Sequence, residues 1–438
     1  MKTSTSRIGQ SLLGILLALV IYVVVDNWGS HWLGRSSSAP PASTLDKAAQ
    51  IERGQYLARV GNCIACHSAK GAPQLAGGRR IDTPFGGVFS SNLTPDPATG
   101  LGQWSADDFW QALHHGRSKN GRLLVPAFPY NHTSVITRED SDALLAWLHS
   151  LAPVQQAPTP HTLVWPVGTQ PALAVWRSLF FKPTPFVADV KQSAEWNRGA
   201  YLVQGLGHCA ACHSPRNALG ASGPVDELSG GLMPIVNWYA PDLTRDRETG
   251  LASTPLAEIV RLLGTGTSAQ AQTSGPMAEV VQHGTQYMNP ADLQAMAVYL
   301  QSRAQKISAA DTPAARAPVS LRMAEMGLKT YERHCAQCHG DQGQGVRTSS
   351  GQVAYPALAG NRAVQLRDPT NLVQMVLYGG YAPATAGHPR PFGMPPFVLE
   401  LDDRDIAAVL THLRTQWGNQ GGEVTALQVN RIRASQDH

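Results

Sequence analysis

All six cysteines of this 438-residue sequence lie in three runs of the form Cys-x-x-Cys-His. The runs are Cys63, Cys66 and His67; Cys209, Cys212 and His213; and Cys335, Cys338 and His339. A zinc site would pair two such runs at short separation, whereas these lie more than 100 residues apart. A thioredoxin-type redox site does not require a histidine directly after the second cysteine. The pattern therefore predicts three covalently bound haem c groups, each held by two thioether bonds.

The histidine that ends each run is the predicted proximal iron ligand. An electron carrier usually has a second axial ligand, and a methionine in that position raises the reduction potential. For the third site we predict Met394, because the prolines that follow it stiffen its loop. For the second site we predict Met277, with Met288 and Met233 as alternatives.

The first site breaks this pattern, since no methionine lies between Cys66 and Ala152. His132 follows His67 at nearly the interval that separates Met277 from His213, and it is the predicted distal ligand. His114, His115 or an open iron position are the alternatives. Imidazole is a better donor to ferric iron than a thioether, so a His/His site should have the lowest potential of the three.

Helices must position these ligands. Residues 140–148, 290–300 and 402–413 have apolar side chains at three- and four-residue spacing, which predicts an amphipathic helix late in each domain. We also expect a helix before each Cys-x-x-Cys-His run, which is called a haem run below. Two such helices are the layout of a small cytochrome c domain, and the fold class is predicted to be mainly α. The first two domains also share the repeat Asn92-Leu93-Thr94 and Asp242-Leu243-Thr244, as duplicated copies would.

The predicted domain limits follow from these elements. They are 1–33 for a membrane segment, 34–47 for a flexible tether, 48–151, 191–302 and 320–418 for cytochrome c domains, 152–190 and 303–319 for linkers, and 419–438 for a polar tail. The tail is predicted to be disordered because of its polar composition.

The N-terminus indicates export. Lys2 and Arg7 precede an apolar stretch from Leu12 to Val25. The stretch is near the lower length limit for crossing a bilayer, and its end lacks a site of small residues for cleavage. We therefore predict an uncleaved anchor on the periplasmic side of a bacterial cytoplasmic membrane; the alternative is a signal peptide cleaved within residues 36–42.

The linker between the first two domains contains a long apolar run, Ala172 to Phe181. A strap that packs over the haem domains is the simpler interpretation. The alternative is a surface that docks a partner subunit or the membrane. A net charge of +4 without any block of Lys and Arg argues against a nucleic-acid partner.

The sequence resembles, over nearly its whole length after the N-terminal segment, the three-haem cytochrome c subunits of bacterial membrane-associated periplasmic dehydrogenases, including alcohol, aldehyde and gluconate dehydrogenases. The resemblance rests on the three haem runs and on the segments 91–96, 238–244, 275–281 and 393–397. It implies an electron-transfer subunit with no substrate site of its own, bound to a catalytic dehydrogenase subunit.

One departure concerns Phe128, where the alcohol dehydrogenase relatives carry Met. The form with Phe128, and with His132 two residues after Tyr130, is similar to subunits that accompany molybdenum hydroxylases acting on nicotinate, isoquinoline or aldehydes. This branch implies a molybdopterin and iron–sulfur partner, with electrons passing to a quinone or a terminal oxidase. The alternative partners are a quinoprotein alcohol dehydrogenase and a flavin-dependent gluconate-type dehydrogenase. A different alternative is that the chain is itself a haem enzyme, in which the iron of the first site has no distal ligand.

Overall fold

The computed structural model describes residues 3–32, 45–233, 235–305, 319–349 and 351–435. Most of the predicted tether 34–47 and of the linker 303–319 lies outside the described residues, as do residues 436–438. The chain forms two compact units, one of residues 1–58 and 66–187 and the other of residues 59–65 and 188–438.

Helices dominate the first unit and the segment that leads into its haem run. The helices are α1 (Thr3–Trp32), α2 (Lys47–Val60), α3 (Cys63–His67), α4 (Ala106–His115), α5 (Tyr130–Thr133), α6 (Arg138–His149) and α7 (Gln170–Phe180). A small antiparallel sheet joins β1 (Arg80–Thr83), β2 (Gly86–Phe89) and β3 (Thr162–Leu163) in that order. β3 and α7 belong to the predicted linker, and both pack on this unit.

The second unit is also mainly helical. Its α-helices are α8 (Ala194–Gln204), α9 (Ala210–His213), α10 (Asp246–Thr249), α11 (Leu256–Thr265), α12 (Gly275–His283), α13 (Pro290–Arg303), α14 (Leu321–His334), α15 (Ala336–His339), α16 (Arg362–Gln365), α17 (Thr370–Tyr378), α18 (Asp403–Thr415) and α19 (Ala426–Ala434), with a 3-10 turn at Thr285–Tyr287. Its strands form antiparallel pairs: β4 (Gly231–Met233) with β5 (Trp238–Ala240), β6 (Val346–Arg347) with β7 (Val353–Tyr355), and β8 (Gly380–Tyr381) with β9 (Gly393–Met394). The mainly α prediction is confirmed.

The three predicted late helices are confirmed as α6, α13 and α18. Each begins at a side chain that caps the free backbone N–H groups of the first turn. Thr137, Asn289 and Asp402 accept these hydrogen bonds in α6, α13 and α18 respectively.

A glycine lets the helix before each haem run cross closely over the late helix. A Cβ added at Gly54 or Gly199 would lie 2.6 Å from the carbonyl carbon of Ala143 or Ala295, respectively. At Gly327 of α14, an added Cβ would lie 3.0 Å from the carbonyl carbon of Ala408 in α18. The same backbone-to-backbone packing therefore occurs in the pairs α2 with α6, α8 with α13 and α14 with α18.

The prediction of a disordered C-terminal tail is wrong. Residues 426–434 form α19, which begins with a capping box between Thr425 and Gln428. Val424 and Val429 are fully buried in the same apolar cluster as residues of α17 and α18, and Ile432 joins them. The composition is polar, but the few apolar side chains are spaced to meet the core on one face.

The N-terminal helix α1 contains a 20-residue segment, Gln10–Gly29, that is long and apolar enough to cross a membrane. Most of its apolar side chains are exposed. Its last turns differ, because Asn27 is buried against α7.

Candidate functional site

The three histidines of the Cys-x-x-Cys-His runs occupy equivalent environments. Nδ1 of His67, His213 and His339 lies 2.7, 2.8 and 2.9 Å from the backbone oxygens of Ser91, Pro241 and Pro356, respectively. A carbonyl oxygen can only accept a hydrogen bond, so Nδ1 carries the proton in each ring. Nε2 is left with its lone pair, and the ring orientation is fixed, as required of an imidazole that binds a metal.

Burial keeps these imidazoles neutral. The pKa of His67, of His213 and of His339 lies below the ordinary value, in each case chiefly because burial disfavours the charged form. The carbonyl hydrogen bond opposes this shift only in part. At neutral pH each of the three rings can therefore bind iron through the lone pair of Nε2.

The first cysteine of two runs lies in apolar surroundings. Burial raises the pKa of Cys209 to about 12 and that of Cys335 to about 12. Protonated thiols in an apolar setting fit the edge of a hydrophobic macrocycle, so the residues present are compatible with haem c.

Turns hold two of the carbonyls that orient the histidines. Directly after Ser91, Asn92 Oδ1 accepts hydrogen bonds from the amide and the hydroxyl of Thr94 at 2.9 and 2.7 Å. Directly after Pro241, Asp242 Oδ1 accepts the equivalent bonds from Thr244 at 2.8 and 2.6 Å. The sequence repeat is thus an Asx turn that fixes the position of the carbonyl.

Met394, the candidate distal ligand of the third site, lies in a short sheet. It ends strand β9, which pairs with β8, and its side chain is half-buried against the apolar cluster of this domain. Gly379 is required beside it, because its φ is +68° and an added Cβ would meet the carbonyl of Met394. The backbone at Met394 is therefore held both by its pairing with β8 and by the close packing of Gly379.

Met277, the candidate for the second site, lies in the first turn of α12 after Pro276. The indole of Trp238 covers Gly275, where an added Cβ would lie 2.6 Å from the ring. Of the alternatives, Met288 is buried in the core, whereas Met277 and Met233 are half-buried.

His132, the candidate for the first site, is buried in the short helix α5. Its competitor His114 is engaged elsewhere, since Nε2 lies 2.6 Å from the oxygen of Ile136 and the ring stacks on Trp110 at 3.4 Å. His115 is half-buried. His114 already uses Nε2 as a donor within the core, which argues against its binding iron.

A model of the cytochrome c family matches residues 324–417, which span α14 to α18. The gluconate 2-dehydrogenase cytochrome c subunit of Pantoea cypripedii is 38% identical over 92% of this chain and 93% of its own length. The cytochrome c subunit of the quinone-dependent alcohol dehydrogenase of Gluconacetobacter polyoxogenes is 38% identical over 88% of this chain and 84% of its own length. The chain belongs to the family of dehydrogenase cytochrome c subunits.

A subunit of the nicotinate dehydrogenase of Pseudomonas putida is also similar to this cytochrome c subunit. It is 39% identical over 86% of this chain, which corresponds to 31% of that longer protein. The resemblance found in the sequence is therefore confirmed at the level of the family.

Sequence reasoning missed the backbone partners of the candidate proximal histidines in this cytochrome c subunit. Ser91, Pro241 and Pro356 act through carbonyl oxygens, which any residue type could supply. The available signal is the repeat at Asn92 and Asp242, which by itself indicates only a duplication.

Proposed function

We propose that this chain is a three-haem electron-transfer subunit of a dehydrogenase complex. The observation that carries the proposal is the threefold recurrence of one arrangement: a histidine directly after Cys-x-x-Cys whose Nδ1 donates to a carbonyl within 2.9 Å. Each such histidine follows a helix that crosses a late helix at a glycine. Three equivalent arrangements support three haem-binding domains.

In each domain the two cysteines would hold haem c by thioether bonds and the histidine would bind its iron through Nε2. The bound group supplies a centre that accepts and releases one electron. The chain contributes a fixed, neutral imidazole on one side, and Met277, Met394 or His132 on the other.

The second and third domains are joined on the side that carries both candidate methionines. Helix α12, which contains Met277, packs against β8, the strand partner of Met394. Gln286 of the same region donates to the oxygen of Ala384 at 3.1 Å. This packing supports electron transfer between the second and third sites, since it brings their distal segments together.

A second contact lies beside the proximal side of the second site. Asn371 of α17 accepts from the amide of Tyr239 and donates to its oxygen, both at 2.8 Å. Tyr239 is two residues before Pro241, whose carbonyl holds His213. The third domain therefore helps to fix the backbone that orients His213, the histidine of the second site.

The first site is proposed to be the low-potential site. Its distal ligand would be His132, and a second imidazole stabilises ferric iron more than a thioether does. A spectroscopic redox titration that resolves the three sites tests this assignment. A first site at or above the other two in potential would contradict it.

For the partner, we propose a molybdopterin subunit with an iron–sulfur subunit. Phe128 together with His132 supports this branch, as does the similarity to a nicotinate dehydrogenase subunit. A quinoprotein or flavin-dependent partner remains the second candidate, because the gluconate and alcohol dehydrogenase subunits are similar to nearly the same degree. Purification of the intact complex and metal analysis of its catalytic subunit distinguish these partners.

We also propose that α1 anchors the chain at the periplasmic face of the cytoplasmic membrane, from which electrons pass to a quinone or a terminal oxidase. The apolar segment Gln10–Gly29 and the positive charges at Lys2 and Arg7 support this topology. Membrane fractionation of the full chain tests it, and recovery in the soluble periplasmic fraction would contradict it.

A further inference from the structure

Helix α7 has two dissimilar faces. Leu173, Ala174 and Arg177 are buried in the first unit, whereas Val175 and Leu179 are 47% and 64% exposed. The helix contains no acidic residue, and its single basic residue, Arg177, is turned inward. The exposed face of α7 is therefore apolar and uncharged.

The end of the N-terminal helix α1 packs directly on α7. Asn27 Nδ2 lies 3.1 Å from the oxygen of Ala174 and 2.9 Å from the hydroxyl of Ser178, and Arg177 Nε donates to Asn27 Oδ1 at 3.1 Å. The Ser178 hydroxyl also donates to the carboxylate of Asp26 at 2.7 Å.

Apolar contacts accompany these polar ones. Val23 and Trp28 of α1 pack against a buried cluster formed by Leu123, Leu173 and Ala174. The last turns of the candidate membrane span thus form part of the core of the first unit.

Arg177 fixes α7 to the haem-binding part of this unit. Its guanidinium lies 5.2 Å from the centre of the Tyr130 ring and 4.8 Å from that of Phe181. Tyr130 begins α5, the helix that carries His132. The position of α7 is therefore set by contacts on both sides, with α1 and with the distal segment of the first site.

These contacts determine the depth of α7 relative to a bilayer. Residues 23–28 are the last turns of the span Gln10–Gly29, so they lie where the hydrocarbon region meets the headgroups when α1 crosses the membrane. A helix packed on those turns lies in the same layer. An apolar helix face in that layer, with Trp176 beside it, has the character of an interfacial membrane helix.

We propose that α7 lies in the membrane interface with Val175 and Leu179 facing lipid, and that α1 is retained in the mature protein as its structural partner. The inference rests on the proposed anchoring function, and it adds a second membrane contact made by the haem-bearing unit itself. The lipid bilayer is preferred over a partner subunit as the covering surface because Val175 and Leu179 directly follow Ala174 and Ser178, the residues that bond to the last turn of the candidate membrane span.

Spin labelling of the full, haem-loaded chain in liposomes tests the proposal. Because the six native cysteines would be occupied by haem, Leu179→Cys or Val175→Cys introduces a single reactive thiol for a nitroxide. Leu427→Cys is the matched control, since Leu427 is a leucine 58% exposed on a helix, α19, remote in sequence from α1. Collisions with oxygen, which concentrates in lipid, are compared with collisions with a water-soluble nickel chelate.

We expect the ratio of oxygen to nickel collisions at positions 175 and 179 to exceed that at position 427 severalfold. A ratio equal to that of the control would overturn the inference, because α7 would then face water. Protection from both reagents in the isolated complex, with a water-like ratio in the isolated chain, would also overturn it and indicate a protein partner.

The mass of the mature chain separates this inference from the proposed anchoring. A chain that retains α1 but gives a water-like ratio at position 179 contradicts only the interfacial position of α7. A chain that lacks residues 1–32 contradicts the anchoring as well as the retained contact of Asn27 with Arg177.

Discussion

Gly199→Ala tests the helix crossing that recurs before each of the three Cys-x-x-Cys-His runs. An alanine Cβ at this position would lie 2.6 Å from the carbonyl carbon of Ala295 and 2.8 Å from Cβ of Tyr299. Ordinary contacts begin at 3.4 Å, so α8 and α13 must separate by about 1 Å, a gap that removes a quarter to a half of the dispersion energy across the contact.

The size of the effect follows from two opposing contributions. Overpacking in a close-packed interior costs about 1 to 3 kcal/mol, and the upper value applies here because the obstructing atoms belong to the backbone and to a Cβ. Alanine in a helix interior is about 1 kcal/mol more favourable than glycine. We therefore expect a net loss of about 2 kcal/mol in the free energy of unfolding of the second domain.

Gly264→Ala is the matched control. Gly264 also lies in a helix of this domain, but an added Cβ would meet only Cδ1 of Leu293, at 3.2 Å, which is the mobile end of a side chain. This variant should be neutral or slightly more stable than the wild type. Guanidinium unfolding followed by circular dichroism, with covalent haem content per chain, measures both variants. Equal stability of Gly199→Ala and Gly264→Ala would refute the proposed role of the crossing.

Three further predictions concern single positions. His132→Met should raise the reduction potential of the first site in a spectroscopic redox titration, since a thioether stabilises ferric iron less than imidazole does. An unchanged potential, or rapid carbon monoxide binding by the reduced wild type, would show that His132 is not the ligand. Val429→Ala should lower the free energy of unfolding of the third domain by about 2 kcal/mol, because it leaves a cavity at a fully buried position. Leu427→Ala, on the exposed side of the same helix, should change this free energy by less than about 0.5 kcal/mol. Equal effects of the two variants in chemical denaturation would contradict the packing of α19. Burial lowers the pKa of His114 from 6.5 to about 4. As the pH falls from 6.5 towards 4, the unfolded chain binds a proton that the folded chain excludes, so the free energy of unfolding of the first unit should fall by about 2 kcal/mol. His114→Gln should flatten this pH dependence of the unfolding midpoint, and an unaltered slope would show that another group causes it.

The sequence was most informative where a function depends on residue type. Only cysteine can form the thioether bonds that attach haem c, and only histidine supplies an imidazole, so the spacing of Cys209, Cys212 and His213 is sufficient to predict a haem c site. The late helices were also predictable, because caps such as Asp402 and apolar spacing act over a few residues.

Features that depend on the backbone were not predictable in this way. The carbonyl of Pro241 and the close approach at Gly199 depend on tertiary position, and neither residue type identifies its role. The tail was misjudged because average polarity hid Val429 and Ile432, although the capping box at Thr425 and Gln428 was present in the sequence. The contact of Asn27 with Arg177 joins segments about 150 residues apart, and no local pattern indicates it.

We propose above that one chain holds three haem c groups, one on each of His67, His213 and His339. The most direct measurement is the intact mass of the purified, denatured chain, combined with the alkaline pyridine absorbance of its haem per mole of protein. We expect three covalently bound haems per chain, and two when Cys209 and Cys212 are both replaced by alanine. A wild-type chain that carries one or two haems when fully matured would contradict it.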